Sequence, residues 1–599
     1  MSNEIAVLDF GGQYTHLITR RIRSLGVLAR VHRPEDFDPT APGIAGIVLS
    51  GGPDSVADPA APRPGFDLAA VSVPMLGLCY GHQLIALTLG GAVETGTEGE
   101  YGLTRTTVDP AAALFQGLAP SQPVWMSHRD RVTRLPEGFR VVASSEGVPV
   151  AAFEHASRRI YGLQFHPEVT HTQNGRTMLD HFVSACTAVR SWNPGDQAAK
   201  LVARTREEIR DRRVILLVSG GVDSLVTLKI CVDAVGPERV RGIHVDTGFM
   251  RKNESAEIAA DLRTLGYANL EVFDASDAFC HELARVADPE AKRRIVGRLF
   301  VEVVHRALAR VDLGTGVVLA QGTIYPDTIE SGGTAKADTI KTHHNRVREI
   351  EELIARGQVV EPLRDLYKDE VRDVGRQLGL PERLLQRHPF PGPGLVIRIL
   401  CSNTGTPEPG FDAQAGGVAA LARELNLAST VLPVRSVGVQ GDSRTYAHPA
   451  LVWPLQGPPP SWEALRTFAA RVVNTHRTVN RVVLSVRPVA ATALHLAPAF
   501  ADRANADRLR DVDALVRDRM RADREIWQLG VVSLPLFDAA GRQAFVIRPV
   551  LSTDAMTADV FPMPWERLAA LEQEACRVPG VAAVWIDVTT KPPATIEWE

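Results

Sequence analysis

The first third of the chain is organised around short apolar runs separated by glycine-rich turns and helix-length stretches. Four runs have the length of a buried strand: Ile5–Leu8, Ile44–Leu49, Val73–Leu78 and Ile160–Phe165. Strands that are buried on both faces of a parallel sheet read as continuous apolar runs, and the helices between them return the chain to the same end of the sheet. The pattern therefore predicts an α/β domain. Its predicted end is the Trp-Asn-Pro-Gly stretch at 192–195, because Pro and Gly end regular structure.

A second α/β unit follows. Its predicted strands are Arg213–Val218, Gly242–Val245, Leu270–Phe273 and Val317–Ala320. The turn-rich stretch Pro389–Gly394 (PFPGPG) is the predicted end of this unit.

The last 200 or so residues contain a weak internal repeat. Val434–Val437 leads to Gly441–Arg444, and Ile547–Val550 leads to Thr553–Met556; each copy continues into a helical stretch and an apolar strand. Two related modules are one interpretation, and chance similarity of short strands is the other. The predicted domains are therefore 1–192, 193–394 and 395–599, with the last divided into about 395–490 and 491–599.

Composition excludes several classes of protein. The 599 residues carry 66 Lys and Arg against 70 Asp and Glu, a net charge of −4, so no nucleic-acid partner is expected. No apolar run approaches the roughly 20 residues of a membrane span, and the N-terminus lacks the pattern of a secretory signal. The six cysteines are scattered without paired spacing, which favours reduced thiols in a cytoplasmic protein and gives no zinc site.

The strand Val73–Leu78 runs directly into Cys79 and then a helical stretch. Gly77 and Gly81 flank the cysteine, as a tight strand-to-helix elbow requires. A helix N-terminus favours a thiolate, and the free backbone N–H of Tyr80 can point at an oxyanion. The loop containing Gly51, which also follows a strand, can supply a second donor.

A nucleophilic thiolate also needs a base, and the base needs an orienting partner. His166 and Glu168 stand two residues apart at the end of a strand, with Pro167 stiffening the link. A lone cysteine is usually a small buried hydrophobe. The cysteine and the His-Pro-Glu segment together, each at a strand end, instead predict a catalytic triad.

The sequences GLCYGHQ (77–83) and FHPE (165–168) resemble the class I glutamine amidotransferase family, over residues 4–190. The resemblance implies that Cys79 attacks the side-chain amide of glutamine, that His166 shuttles the proton and that Glu168 orients His166. It also places three residues at the glutamine-binding positions: Gln83, His128 and Asp130. The family usually has glycine where Arg129 stands.

A phosphate loop is predicted between the strand at 213–218 and the helical run that follows it. Paired glycines let backbone N–H groups approach phosphate, and the helix adds its positive end. Asp223 stands where a magnesium ion bridging the phosphates needs an oxygen ligand. The loop is not of the Walker A type and resembles that of the N-type ATP pyrophosphatases, which implies ATP binding by Ser219, Gly220, Gly221, Val222, Asp223, Ser224 and Leu225.

The order of the two motifs, and several later segments, resemble the glutamine-hydrolysing GMP synthase family in its long form. The segments are 322–327 (GTIYPD), 340–345 (IKTHHN), 388–394 (HPFPGPG) and 591–599 (KPPATIEWE). The resemblance implies a multidomain α/β protein with a flavodoxin-like glutaminase domain, a Rossmann-like ATP pyrophosphatase domain and an α+β C-terminal tandem module. It further implies amination of XMP with glutamine and Mg²⁺–ATP as co-substrates.

The same resemblance assigns two further groups of residues. Those expected around XMP are Arg293, Asp442, Gln528, Lys591 and Glu597. Those expected in a lid over ATP and XMP are Lys341, His343 and His344. Without the family, a solvated tail and a helix start with surface histidines would be the ordinary interpretations.

Two alternatives to this function remain. Another acceptor, either a carboxylate as in NAD synthesis or a tRNA base, would keep both motifs. A regulatory binding protein with an inactive glutaminase would not need the triad. The duplicated C-terminal module suggests an internal pseudo-dimer, so the expected state is monomer or homodimer.

Overall fold

The computed structural model describes residues 3–169, 171–192, 197–309, 316–327, 357–387, 389–440, 443–488, 494–552, 558–591 and 593–599. Its contacts divide the chain into two compact units. The first runs to Gln197 and includes a short segment starting at Tyr325, and the second holds the rest. The boundary predicted at 394 falls inside the second unit. Among the described residues no helix is long and apolar enough to cross a membrane.

The first unit is a nine-stranded sheet with helices. Its strands are β1 (Glu4–Leu8), β2 (Leu28–His32), β3 (Ile44–Leu49), β4 (Met75–Leu78), β5 (Ala92–Val108), β6 (Ser121–Arg134), β7 (Arg140–Ser144), β8 (Ala152–His155) and β9 (Ile160–Leu163). Its helices are α1 (Thr15–Arg23), α2 (Tyr80–Thr88) and α3 (Gly175–Cys186). The order β2-β1-β3-β4-β9 is parallel throughout. This is the doubly wound order of a flavodoxin-like sheet, which confirms the predicted fold class.

The other strands of this sheet are antiparallel and extend it in the order β9-β8-β7-β5-β6. The apolar-run pattern misses β5 and β6 because both are largely polar. Along β6, buried and exposed side chains alternate, as expected of a strand with one wet face. The extension matters for function because β6 carries His128 and Asp130.

The second unit begins with a five-stranded parallel sheet. Its strands are β10 (Arg213–Leu217), β11 (Val240–Asp246), β12 (Leu270–Asp274), β13 (Val317–Ala320) and β14 (Val359–Val360). The helices of this region are α4 (Gln197–Ile209), α5 (Val222–Val235), α6 (Glu254–Thr264), α7 (Ser276–Glu282), α8 (Pro289–Ala309), α9 (Lys368–Gln377) and α10 (Glu382–Leu385). The order β12-β11-β10-β13-β14 reverses at β10, so this strand lies at a Rossmann-like switch point, where ligands bind.

The rest of the second unit forms a mixed sheet of nine strands. Its elements, in chain order, are α11 (Ala415–Glu424), β15 (Leu427–Val431), β16 (Ser436–Gln440), β17 (Ser443–Pro454), α12 (Trp462–Thr475), β18 (Val479–Leu484), β19 (His495–Leu496), α13 (Arg503–Arg519), β20 (Gln528–Phe537), β21 (Gln543–Leu551), β22 (Asp559–Val560), α14 (Trp565–Ala575) and β23 (Val581–Asp587). The main path is β15-β17-β18-β23-β21-β20-β19.

Two copies of one arrangement make up this sheet. In each, a helix precedes an antiparallel hairpin, a second helix follows, and a last strand lies parallel to the second hairpin strand. We call residues 415–484 the first half and 503–587 the second half. The last strands, β18 and β23, pair antiparallel, with Leu484 opposite Ile586. Trp462 and Trp565, each the first residue of the second helix of its half, stack with ring centroids 4.5 Å apart.

The repeat recognised in the sequence paired the wrong strands. Val434–Val437 leads into β16, on the first side of its hairpin, whereas Ile547–Val550 lies in β21, on the second side. Short apolar segments with an arginine fit either side of a hairpin, so this local match could not identify equivalent strands. The duplication is expressed in topology, since β17 and β21 are the equivalent strands.

Candidate active site

Cys79 lies at a strained elbow between β4 and α2. Its backbone has φ 50° and ψ −102°, in the left-handed region that side chains rarely adopt. The flanking glycines make the turn possible: a Cβ on Gly77 would lie 2.4 Å from the carbonyl oxygen of Gly81, and one on Gly81 would lie 2.3 Å from that of Leu49. The strain therefore holds the thiol at the N-terminus of α2, as the sequence predicts.

His166 and Glu168 complete a hydrogen-bonded chain with the thiol. Nδ1 of His166 lies 2.7 Å from Oε1 of Glu168, and both side chains are buried. Burial opposes the charge on His166, but the Glu168 carboxylate and a hydrogen bond with Cys79 raise the pKa of His166 to about 10. Nε of Arg21 donates to the Glu168 carbonyl oxygen at 2.9 Å, which holds the segment in place. The structure thus brings all three predicted triad residues together.

The predicted oxyanion residues lie beside the triad. A Cβ on Gly51 would meet Cε1 of His166 at 3.3 Å and Cβ of Cys79 at 3.6 Å, so only glycine leaves this space open. Tyr80 is the first residue of α2, where a backbone N–H has no partner within its own helix. Both positions fit donors to a developing oxyanion, which stays a prediction.

The predicted glutamine-binding residues form one buried group. Nε2 of Gln83 donates to the carbonyl oxygen of Asp130 at 2.8 Å, and Nδ1 of His128 donates to the same oxygen at 3.0 Å. The Asp130 carboxylate accepts a short hydrogen bond from Ser55. Arg129 is exposed between two buried neighbours on β6 and has an ordinary φ, so its departure from glycine leaves this strand undisturbed.

Sequence reasoning missed two polar residues near this group. Nε2 of Gln164 lies 3.8 Å from Sγ of Cys79, and the Glu100 carboxylate lies 3.6 Å from Nε2 of His128. Gln164 stands immediately before the FHPE segment and could have been found there. Glu100 lies on β5, a strand that gave no apolar signal.

The predicted phosphate loop is exposed between β10 and α5. Gly220 has φ +80°, and Gly221 precedes the first turn of α5. The hydroxyls of Ser219 and Ser224 lie 3.2 Å apart, and Ser224 donates to the carbonyl oxygen of Gly221 at 2.9 Å. A compact loop that exposes Ser219 and Gly221 at a helix N-terminus suits phosphate.

The carboxylate of Asp223 has one satisfied and one unsatisfied oxygen. Oδ2 accepts a short hydrogen bond from Nζ of Lys368 at the start of α9, whereas buried Oδ1 has no hydrogen-bond partner in the described part of the chain. An unsatisfied buried carboxylate oxygen fits a cation ligand. Lys368 is separated from the loop by 145 residues and carries no motif, so the sequence did not indicate it.

Two of the residues predicted to bind XMP meet in the C-terminal sheet. Glu597 accepts hydrogen bonds from Gln528 and from Nη2 of Arg398, the latter at 2.8 Å. Arg398, which is fully buried, was not predicted although it closely follows the PFPGPG turn. A carboxylate held by an amide and a guanidinium is a fixed acceptor for the edge of a polar ligand.

The remaining predicted residues are less closely grouped. Arg293 on α8 pairs with Glu290 at 2.7 Å, while its neighbour Lys292 is buried against the carboxylate of Glu599. Lys591 pairs through its backbone with Ala558. Asp442 and the lid residues Lys341, His343 and His344 lie outside the described residues.

A cysteine triad on one unit and a pyrophosphatase-type loop on the other define a glutamine amidotransferase that uses ATP. Family models agree with each part. Glutamine amidotransferase class-I matches residues 6–186, NAD synthase matches 197–294, and GMP synthase C terminal domain matches 518–598.

Curated relatives cover the chain. A "Probable GMP synthase [glutamine-hydrolyzing]" of Leptospira interrogans is 40% identical over all of this chain and 99% of its own length. A "GMP synthase [glutamine-hydrolyzing]" of Streptomyces coelicolor is 41% identical over 80% of this chain and 95% of its own. The chain belongs to the glutamine-hydrolysing GMP synthase family. Among solved structures, a "putative GMP synthase" component from Thermoplasma acidophilum is 35% identical over 31% of this chain and 94% of its own, with a TM-score of 0.29.

Proposed function

We propose that the chain converts XMP to GMP with ATP and with ammonia released from glutamine, forming AMP, pyrophosphate and glutamate. The observation that carries this proposal is an intact buried triad together with an exposed phosphate loop on a chain of this family. A dead glutaminase would not need the strained elbow at Cys79, which supports an enzyme over a regulatory binding protein.

Glutamine hydrolysis follows from the charges of the triad. His166 is a cation at neutral pH, so it stabilises the Cys79 thiolate that attacks the amide carbon. The imidazolium then gives its proton to the departing ammonia, and a glutamyl thioester remains. Water, deprotonated by the neutral imidazole, cleaves the thioester, releases glutamate and restores the pair.

Amination of XMP requires that its C2 oxygen become a leaving group. Attack of this oxygen on the α-phosphorus of ATP forms an adenylate and expels pyrophosphate. Ammonia then adds at C2, and AMP leaves with the oxygen. Serine hydroxyls and backbone N–H groups of the loop bind the phosphates, while Gln528 and Glu597 bind the base.

We also propose Asp223 as the protein ligand of magnesium that accompanies ATP. The unsatisfied buried Oδ1 supports this role, and Lys368 holds the other oxygen. When bound, the ion neutralises charge on the phosphates. Within the described residues no cluster of three His, Cys, Asp or Glu side chains forms a further metal site.

Replacement of the nucleophile separates the two half-reactions. Cys79→Ala is expected to abolish GMP formation with glutamine and to preserve it with ammonium salts, because only the source of ammonia is lost. AMP and GMP release should be followed by chromatography with XMP as the acceptor. A parallel assay with a nicotinate-type carboxylate acceptor tests the rival reaction, and activity only with the carboxylate would contradict the proposal.

Replacement of the metal ligand should affect both nitrogen sources equally. Asp223→Ala is expected to reduce AMP formation at least about a hundredfold with glutamine or ammonia, since phosphate charge is no longer neutralised at the transition state. The thermal midpoint of the unit that contains Asp223 serves as the folding control. AMP production at the wild-type rate would contradict the role of Asp223.

All six cysteines are free thiols. Free thiols are typical of a reducing compartment, and we propose that the protein is cytoplasmic. Its proposed partners are small molecules only.

A further inference from the structure

The last residues of the chain are built into the C-terminal sheet. Ala594 forms an antiparallel bridge with Gly438, and the backbone N–H of Val437 donates to the carbonyl oxygen of Trp598 at 2.8 Å. Ala594 and Trp598 are fully buried. The tail, residues 593–599, is therefore an irregular segment hydrogen-bonded to β16 of the first half.

The guanidinium of Arg481 forms hydrogen bonds with this tail. Nη2 of Arg481 donates to the carbonyl oxygens of Thr595 at 3.0 Å and Glu597 at 2.9 Å, and to the Thr595 hydroxyl at 2.7 Å. It also donates to the carbonyl oxygen of Val437 at 2.9 Å. Arg481 thus joins β16 to the tail at Thr595 and at Glu597, the residue whose carboxylate is expected to bind XMP.

Arg481 is held from the other side by a buried carboxylate. Its Nη1 donates to Asp587 at 2.8 Å, and its guanidinium carbon lies 5.0 Å from the centre of the Trp598 ring. Complete burial lowers the pKa of Arg481 to about 10, with Asp587 opposing the shift. The side chain therefore remains a cation at neutral pH, and the two N–H groups of Nη2 are shared among its four acceptors in charge-assisted hydrogen bonds.

The two halves of the sheet contribute unequally to this contact. Arg481 lies on β18 three residues before Leu484, and the equivalent position on β23, three residues before Ile586, is Ala583. The tail follows β23. The first half thus carries the arginine, and the second half is followed by the segment that the arginine binds.

We propose that Arg481 is a positioning residue for XMP: it fixes residues 595–597 so that the Glu597 carboxylate faces the base. The inference rests on the proposed function. Arg481 itself touches the tail backbone and no reacting atom, so its loss should weaken XMP binding more than it slows chemistry. Glu597 would still be able to meet Arg398 and Gln528, but from a tail with greater freedom.

The test uses Arg481→Met in the full-length protein with ammonia as nitrogen source. Methionine keeps most of the volume, and Asp587 remains paired with Arg548 at 2.8 Å and with the Trp598 indole at 3.0 Å, so no carboxylate is left unpaired. The KM for XMP is expected to rise at least about tenfold, the effect of losing one hydrogen bond to a charged donor, while the KM for ATP and kcat stay within about twofold.

A measurement without XMP separates this inference from the proposed function. Carboxypeptidase digestion followed by intact mass should leave the wild-type tail whole and should release Trp598 and Glu599 from Arg481→Met. Thr595→Val removes a hydroxyl that accepts from Arg481 and lies within hydrogen-bond distance of the carbonyl oxygens of Val437 and Glu597, so it should show both effects as well. Arg471→Met is the matched control, because Arg471 is 55% exposed and pairs with Glu424 in the same half.

An unchanged KM for XMP in Arg481→Met would overturn the inference, as would a tail resistant to carboxypeptidase in that variant. Should wild-type protein fail to aminate XMP while the tail of Arg481→Met is released, the proposed function fails and the anchoring of the tail stands. A lower kcat with an unchanged KM for XMP would also overturn the inference, because Arg481 would then act on a chemical step and not on XMP binding.

Discussion

Some residues of the proposed sites could be predicted from the sequence, and others could not. Cys79, His166 and Glu168 were predictable because each sits in a short motif at a strand end, and parallel strands bring such ends together. Lys368, Arg398 and Arg481 were not, because each reaches its partner across more than a hundred residues of chain. Such partners depend on tertiary packing and leave no local signal.

The charge on His166 gives a prediction that depends on pH. In Glu168→Gln the carboxylate that raises the pKa of His166 to about 10 is lost, and the pKa should fall to its ordinary range or below. The ring protons of His166, followed by NMR of the histidine-labelled protein, should titrate near pH 10 in the wild type and at lower pH in the variant.

The pair of His166 and Glu168 also makes the stability of the folded protein depend on pH. Because the folded pKa of His166 is raised, the stabilisation by Glu168 is fully present below about pH 6.5 and is lost as the pH rises through about 10. Glu94→Gln is the matched control, since Glu94 is 60% exposed and pairs with Arg131 in the same unit. An unchanged titration of His166 in Glu168→Gln would contradict the assignment.

Elements show which parts of the fold a hydrophobic pattern can and cannot predict. β3 and β13 were predicted to the residue because they are buried on both faces and bounded by turns. β5 and β6 were missed because strands with a wet face alternate and resemble polar loops. The sequence repeat matched strands that do not correspond in the two halves.

The elbow between β4 and α2 gives a prediction at the scale of elements. Gly81→Ala would place a Cβ 2.3 Å from the carbonyl oxygen of Leu49 on β3, a central strand that cannot move aside. We expect a loss of about 2–3 kcal/mol, or roughly 5–10 °C in the thermal midpoint of the first unit, with loss of glutamine hydrolysis. Scanning calorimetry measures the midpoint.

A control glycine tests whether the close approach is the cause. Gly297 lies in α8 with no atom within 4 Å of the position that a Cβ would take. Gly297→Ala should leave the midpoint unchanged or slightly raised. A Gly81→Ala protein with wild-type midpoint and glutaminase rate would show that the elbow accommodates a methyl group.

At the scale of the whole molecule, the C-terminal sheet has the contacts of a two-fold dimer within one chain. Equivalent strands pair, and equivalent tryptophans stack, as in an isologous interface. A relative from Streptomyces coelicolor matches 80% of this chain with 95% of its own length, so about a fifth of this chain has no match in it. We therefore expect the internal pairing to take the place of a contact between two copies of the chain.

We accordingly expect a monomer of 65.0 kDa. Multi-angle light scattering across a concentration series should give this mass, and specific activity should not fall on dilution. Trp462→Ala should lower the stability of the sheet without producing dimers. An obligate dimer that loses activity on dilution would contradict the internal pairing.

Placing both halves of a two-fold arrangement on one chain changes how it can evolve. In a homodimer, every substitution at the interface appears twice, so neither side can specialise. Here Arg481 and Ala583 occupy equivalent positions but differ, and only one half bears the tail. Because the two halves belong to one chain, each can change without the other. One half can therefore come to support residues of the other half.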